Sequence, residues 1–196
     1  GMLRVLGRLC SSPPKFIDLG GGYFGKMHEK LAAQLGPVHS YHEYAKIIGT
    51  ALSNNYKNTP KEDWPLLILE PGSALVADTM DFVSSVIDIK NIRGQNIAMT
   101  SGSKFNIGLL TASVQMPMDV FNTEEATNFD DIHVSGFTCI ESDYLYKNYR
   151  GYLGINSFIN FSNVGSYSIV FKPPFILPNV PVISVNELDP LDYQIV

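Results

Sequence analysis

Two clusters of small and acidic residues have the composition expected of a phosphate-binding site. One is a run of three glycines, which we call the glycine loop: Gly20, Gly21 and Gly22. The other ends the apolar run at residues 66–69 and reads Glu70-Pro71-Gly72. Because glycine lacks a Cβ, the N–H groups of successive glycines can converge on one anion. Glu70 is costly to bury unless a cationic or protonated partner meets it. Together the clusters predict a site for a phosphate-bearing cofactor.

The residues around these clusters predict alternating strands and helices. Strands are predicted at residues 16–19 and 66–69, and helices at residues 26–35 and, capped by Ser40, to about residue 54. An earlier short helix is predicted from Leu3, Leu6 and Leu9. This β-α-β order with apolar strands is typical of a parallel sheet or barrel buried on both faces. In a parallel barrel the carboxyl ends of the strands share one face, so the two clusters should be neighbours.

After about residue 78 the helical period gives way to alternation of apolar and polar residues. Short runs of this kind, separated by Gly, Asn and Pro, are typical of an antiparallel β-sandwich or barrel. The runs include Ile87 and Ile89, Ile97 and Met99, and Tyr167, Ile169 and Phe171. The predicted fold class is therefore α/β plus all-β, with a partial barrel at residues 2–77 and a β domain at residues 78–196.

The composition excludes several classes of function. The chain has 196 residues and a net charge of −5, so it lacks the basic stripe that nucleic-acid binding requires. Its two cysteines, Cys10 and Cys139, lack the spacing of a zinc site or a disulfide framework. The four histidines also lack metal-site spacing. Without a predicted membrane span or signal peptide, a cytoplasmic location is expected.

Taken alone, the glycine loop is compatible with two other cofactor sites. Gly20-x-Gly22-x-x-Gly25 satisfies the dinucleotide-binding fingerprint, but that fold needs a second strand ending in an acid about 20 residues later. The acid near that place, Glu43, lies within a predicted helix. Asp18-x-Gly20-x-Gly22 satisfies the first motif of S-adenosylmethionine-dependent methyltransferases, so that activity remains an alternative.

Four motifs, in order along the chain, resemble those of one enzyme family. They are the Asp18-Leu-Gly-Gly-Gly22 run, Glu70-Pro-Gly72, Gly136-Phe-Thr-Cys139 with Asp143 four residues on, and Asn163-Val-Gly-Ser-Tyr167. The chain resembles the carboxyl-terminal half of the fold-type III pyridoxal-phosphate (PLP) decarboxylases, which include the ornithine and diaminopimelate enzymes. The resemblance implies a PLP cofactor, an amino-acid substrate and, as partner, either a second copy in a homodimer or a missing amino-terminal half of the barrel.

The resemblance also implies a role for each matching residue. The glycine loop, Gly72 and Tyr167 would bind the PLP phosphate, and Glu70 would pair with the pyridinium nitrogen. Cys139 would reach the partner subunit's site and deliver a proton after carbon dioxide leaves, and Asp143 would contact substrate.

The chain departs from the family pattern at three points. The family's Schiff-base lysine lies well upstream of the glycine loop, whereas Lys15 directly precedes the first predicted strand. Ser73 replaces an arginine, and Ile140 stands where an acidic residue often binds the distal amine of the substrate. We therefore expect a chain that is inactive alone because it lacks the Schiff-base lysine. The alternative is a dimerisation or assembly module of a split or remnant decarboxylase.

Overall fold

The computed structural model describes residues 12–108, 113–172, 174–186, 189 and 191–196. The short helix predicted from Leu3, Leu6 and Leu9 lies outside the described residues, as does Cys10.

The described chain begins with a small α/β unit and continues mainly as β-structure. The helices are α1 (Glu29–Leu35), α2 (Tyr41–Tyr56) and α3 (Ser73–Val76). Ten strands are described: β1 (Phe16–Asp18), β2 (Leu66–Ile68), β3 (Phe82–Ile92), β4 (Gln95–Thr100), β5 (Met118–Phe121), β6 (Thr127–Ser135), β7 (Tyr144–Leu153), β8 (Phe158–Phe161), β9 (Ile183–Val185) and β10 (Tyr193–Ile195). This order confirms the predicted fold class, α/β plus all-β.

Strands β1 and β2 pair in parallel, as the β-α-β order predicts, and form a sheet of two strands. Ile17 pairs with Leu67 in this sheet. Helices α1 and α2 lie between the two strands. Helix α2 begins at the predicted cap, where the Ser40 hydroxyl accepts from Glu43 N–H at 3.2 Å. The Glu43 carboxylate accepts in return from Ser40 N–H at 2.7 Å. The hydrogen bonds that the N–H and the hydroxyl of Ser40 donate to this carboxylate lower the pKa of Glu43. Reciprocal capping of this kind fixes where a helix starts.

A six-stranded sheet in the order β5-β8-β3-β4-β6-β7 carries the main core. Its pairs are antiparallel except for β4 and β6, which run parallel with Ile97 opposite His133. Its core includes several fully buried apolar side chains, among them Val86, Ala98, Ile132, Ile159 and Phe161. Strands β9 and β10 form a separate antiparallel pair. Among the described residues, no helix has the length and apolar character needed to span a bilayer.

Three predictions about local structure are wrong. The first sheet is not buried on both faces, because the side chains of Phe16 and Leu66 are exposed. Helix α1 begins at Glu29 rather than near residue 26, because His28 Nδ1 accepts from Lys30 N–H and caps it. Tyr167 lies in a loop rather than a strand, because its backbone has a φ of +58°, outside the β region.

Candidate functional site

The glycine loop and Glu70 lie side by side at the carboxyl ends of β1 and β2. Leu19 N–H donates to Ile68 O at 3.1 Å, and Glu70 N–H donates to Gly20 O at 2.8 Å. An alanine Cβ at Gly21 would lie 2.8 Å from Glu70 O, so this approach requires glycine. The structure therefore brings together the two clusters that the sequence singled out.

The three amides of the glycine loop differ in their availability. Gly20 N–H donates to Asp18 Oδ1 at 2.8 Å, so this amide is already used within the loop. Gly21 and Gly22 are exposed, and no atom lies within 4 Å of the position that a Cβ would take at Gly22. Gly20 and Gly22 both have positive φ, at +63° and +85°. The open amides that could face a phosphate are therefore those of Gly21 and Gly22.

Helix α3 follows Gly72 directly and packs against residues that the functional prediction did not include. An alanine Cβ at Gly25 would lie 2.1 Å from Ala74 O. The Tyr41 hydroxyl donates to the same carbonyl. Tyr44 Oη accepts from Phe24 N–H at 3.1 Å. Gly25 was visible in the sequence as the third glycine of the dinucleotide pattern, whereas the tyrosines gave no functional signal.

The loop that carries Tyr167 packs against the segment following α3. Gly165 N–H donates to Ala77 O at 3.0 Å. Asn163 Oδ1 accepts from His28 N–H at 2.9 Å, which ties the loop to the start of α1. Tyr167 is exposed, and its ring centroid lies 5.9 Å from that of Phe171. The fourth motif, Asn163–Tyr167, is thus bonded to the residues that follow Gly72 and α3.

Cys139 belongs to a separate loop in the β domain. Its thiol is exposed. The neighbouring Phe137 N–H donates to Gly102 O at 3.1 Å, and the Asp143 carboxylate bonds to Ser103 and Lys104. These described contacts join the Cys139 loop to the residues after β4 rather than to the glycine loop. The resemblance predicts a substrate contact for Asp143, whose carboxylate in the structure accepts from donors of the chain itself.

A small cavity lies beside this loop. Its volume is about 50 Å³, and Thr138, Phe137 and Lys172 are among its lining residues. Lys172 Nζ donates to Val180 O at 2.9 Å, and burial lowers the pKa of this amine. The cavity has room for water molecules but not for a coenzyme. Among the described residues, no three His, Cys, Asp or Glu side chains are grouped to hold a metal ion.

Comparison with known proteins finds similarity in structure alone. No protein-family model and no curated protein sequence matches the chain. Diaminopimelate decarboxylase from Helicobacter pylori, complexed with L-lysine, is 18% identical with a TM-score of 0.67, covering 92% of this chain and 41% of that one. Diaminopimelate decarboxylase from M. jannaschi is 17% identical with a TM-score of 0.71, covering 99% of this chain and 42% of that one. Lysine/ornithine decarboxylase from Vibrio vulnificus, complexed with cadaverine, is 20% identical with a TM-score of 0.66, covering 91% and 45%.

These similarities define the fold and its extent. The chain spans less than half the length of each of the three enzymes. Nearly all of this chain is aligned, so the match includes both the α/β unit and the β-structure that follows it. The chain therefore has the fold of the carboxyl-terminal half of the fold-type III decarboxylases, the group that includes the diaminopimelate and ornithine enzymes.

Proposed function

We propose that the chain is the carboxyl-terminal part of a PLP-dependent amino-acid decarboxylase and is inactive without the rest of the fold. The observation that carries this proposal is the hydrogen bond of 2.8 Å from Glu70 N–H to Gly20 O. It holds an anion-binding type of loop beside a carboxylate at the carboxyl ends of two paired parallel strands. That arrangement suits a cofactor with a phosphate at one end and a basic ring nitrogen at the other.

The residues of the site fit PLP. Gly21 and Gly22 are exposed, and the place of a Cβ at Gly22 is empty, so their amides could face a phosphate. The Glu70 carboxylate would pair with the ring nitrogen and keep it protonated. Tyr167, on a loop bonded to the segment after α3, would donate its hydroxyl to the phosphate. When bound, PLP accepts the electrons that remain at the α-carbon as carbon dioxide leaves.

For activity, the chain would need a lysine and a partner subunit from elsewhere. The fold-type III family uses a lysine upstream of the glycine loop to hold PLP covalently, and Lys15 precedes β1 too closely for that place. Cys139 lies on a loop apart from the glycine loop, which suits delivery of its proton to a partner subunit's site in a dimer. The missing amino-terminal half of the fold would therefore supply the lysine. The Cys139 thiol would act in the site of a second subunit.

Binding of PLP to the purified chain tests this proposal. In equilibrium dialysis we expect weak, non-covalent retention of PLP. In the absorption spectrum we expect no band of a PLP–lysine adduct at about 420 nm. Glu70→Gln should weaken retention by about tenfold, because it removes the charge facing the ring nitrogen. The control is Glu62→Gln, an equivalent change of an exposed acid in a short 3₁₀ helix outside the site.

Two results would contradict the proposal. The first is a strong adduct band that disappears when one lysine of this chain is replaced, because the chain would then hold its own covalent anchor. The second is equal retention of PLP by the wild-type, Glu70→Gln and Glu62→Gln proteins, because Glu70 would then have no role in binding.

A second candidate function, an assembly module, is favoured by the exposed first sheet. Phe16 is 60% exposed and Leu66 is 66% exposed, although they are paired strand residues in a sheet of two strands. Parallel sheets are normally covered on both faces and at their edges. The uncovered face would take part in pairing with a second copy of the chain.

Sedimentation of wild-type protein and matched variants tests this second candidate. We expect concentration-dependent self-association, weakened by about tenfold in Leu66→Glu because a charge would be placed in the apolar contact. Leu191→Glu serves as the control, since Leu191 is 87% exposed and lies far along the chain from β1 and β2. A wild-type protein that stays monomeric at the highest concentration reached would rule the module out.

A further inference from the structure

The carboxylate of Asp143 is almost completely buried and fully hydrogen-bonded within the chain. The residue is 3% exposed. Its Oδ1 accepts from the Ser103 hydroxyl at 3.0 Å and from Lys104 N–H at 2.8 Å. Its Oδ2 accepts from the Thr138 hydroxyl at 2.6 Å and from Thr138 N–H at 3.3 Å. A carboxylate offers about four acceptor positions, and donors of this chain occupy all of them. An amine of a substrate would find neither access nor a free lone pair.

The surroundings of Asp143 are shaped to keep the carboxylate in this place. An alanine Cβ at Gly136 would lie 2.1 Å from Asp143 Oδ2, so the carboxylate occupies the space that a side chain would take. Gly136 N–H donates to Asp143 O at 2.8 Å, and Asp143 N–H donates to Ile140 O at 2.9 Å. The segment from Gly136 to Asp143 is thereby closed on itself by main-chain bonds at both ends.

Cys139 lies in the middle of this closed segment, directly after Thr138, which is hydrogen-bonded to the Asp143 carboxylate. Thr138 gives both its hydroxyl and its N–H to Asp143, and Cys139 follows directly. The other oxygen of the same carboxylate holds Ser103 and Lys104, which follow β4. The Asp143 side chain thus joins Thr138, the residue before Cys139, to the residues that follow β4 in the six-stranded sheet.

We propose that Asp143 is a positioning residue, whose buried carboxylate fixes the Cys139 loop to the end of β4 rather than contacting substrate. The proposal rests on the proposed function in one respect, the role of the Cys139 thiol as a proton donor. Charged hydrogen bonds in a buried setting are strong and directional, so they suit the placing of a reactive group on an exposed loop.

A nitroxide spin label on Cys139 tests the proposal without PLP or activity. The full chain with Cys10→Ser carries one thiol, and its label should show restricted motion. Thr138→Val removes the hydroxyl that bonds Asp143 and should shorten the rotational correlation time of the label by about threefold, into nanosecond loop motion. Thr138→Ser keeps the hydroxyl and should leave the spectrum of the reference protein unchanged.

Two further variants test the hydrogen bond between Thr138 and Asp143 by changing Asp143 or its surroundings. Asp143→Asn places an amide where Thr138 N–H needs an acceptor, and Gly136→Ala pushes the carboxylate aside without removing its charge. Both should mobilise the label as Thr138→Val does. Asp119→Asn is the control, because Asp119 is an exposed acid on β5. If Asp143→Asn does not fold, Thr138→Val and Gly136→Ala still decide the question.

The result that overturns the proposal is a label whose motion, well below the unfolding temperature, is the same in the reference protein and in Thr138→Val and Gly136→Ala. A carboxylate that only stabilised the core would give this outcome together with lower unfolding temperatures. Mobility in Thr138→Ser equal to that in Thr138→Val would also overturn it. Failure of PLP binding would leave these spectra unaffected, so the two proposals fail separately.

Discussion

Replacement of Gly165 by alanine is expected to lower the free energy of unfolding by about 2–3 kcal/mol. The added Cβ would lie 1.8 Å from Val76 O, a main-chain atom that also accepts from the Thr79 hydroxyl at 2.9 Å. Because Val76 O belongs to the main chain, it cannot turn away as a side-chain atom could. The loop must therefore move outward, which breaks the hydrogen bonds from Gly165 N–H to Ala77 O and from Val164 N–H to Met80 O.

Urea unfolding followed by circular dichroism measures this effect, and Gly49→Ala provides the matched control. Gly49 is an exposed residue of α2 with no atom within 4 Å of the position of a Cβ. The same change there should stabilise the protein by about 0.5–1 kcal/mol, because alanine is the better helix former. An unfolding midpoint of Gly165→Ala equal to that of the wild type would show that the Tyr167 loop does not pack against the segment after α3.

The parts of the fold that were predictable are those fixed by local chemistry. Ser40 was predicted to cap a helix and does so in the structure, where Glu43 completes the cap from the first turn. The apolar runs before the glycine loop and Glu70 are too short for helices, and they pair in parallel as expected. The alternation around Ile87 and Ile97 predicted β3 and β4 correctly. The helix cap and the strand positions depend on residues within a few positions of one another, whereas the parallel pairing of β1 with β2 was predicted from the β-α-β order of the elements.

The predictions that failed depend on contacts that a single sequence does not contain. The alternation through Tyr167 resembles a strand, but the backbone turns into the left-handed region there and the segment is a loop. The parallel pairing of β4 with β6 joins residues more than thirty positions apart. Within the candidate site, the sequence located the glycine loop and Glu70, but it did not reveal that Asp18 already uses the Gly20 amide. Competition of this kind depends on a side-chain rotamer rather than on residue type.

Replacement of Phe161 by alanine is expected to have the largest effect on stability, a loss of about 3–5 kcal/mol. Phe161 on β8 has no exposed surface and lies opposite both Phe82 on β3 and Met118 on β5, so its ring fills the centre of three adjacent strands. Its ring stacks on that of Phe82 at a centroid distance of 6.5 Å, and truncation would leave a cavity between them.

Phe158→Ala is the matched control, because it removes the same side chain from an exposed position of the same strand. Phe158 lies on the same strand but is 54% exposed, so Phe158→Ala should cost less than about 1 kcal/mol. Urea unfolding of both variants, with the denaturant slope compared to show that the same surface is exposed, measures the difference. Equal losses for the two variants would mean that β8 does not present Phe161 to the core, and the strand order around it would have to be abandoned. A large loss at Phe161 alone would instead tie the stability of the six-stranded sheet to the contact between β3, β5 and β8. The fourth motif, which carries Tyr167, directly follows β8.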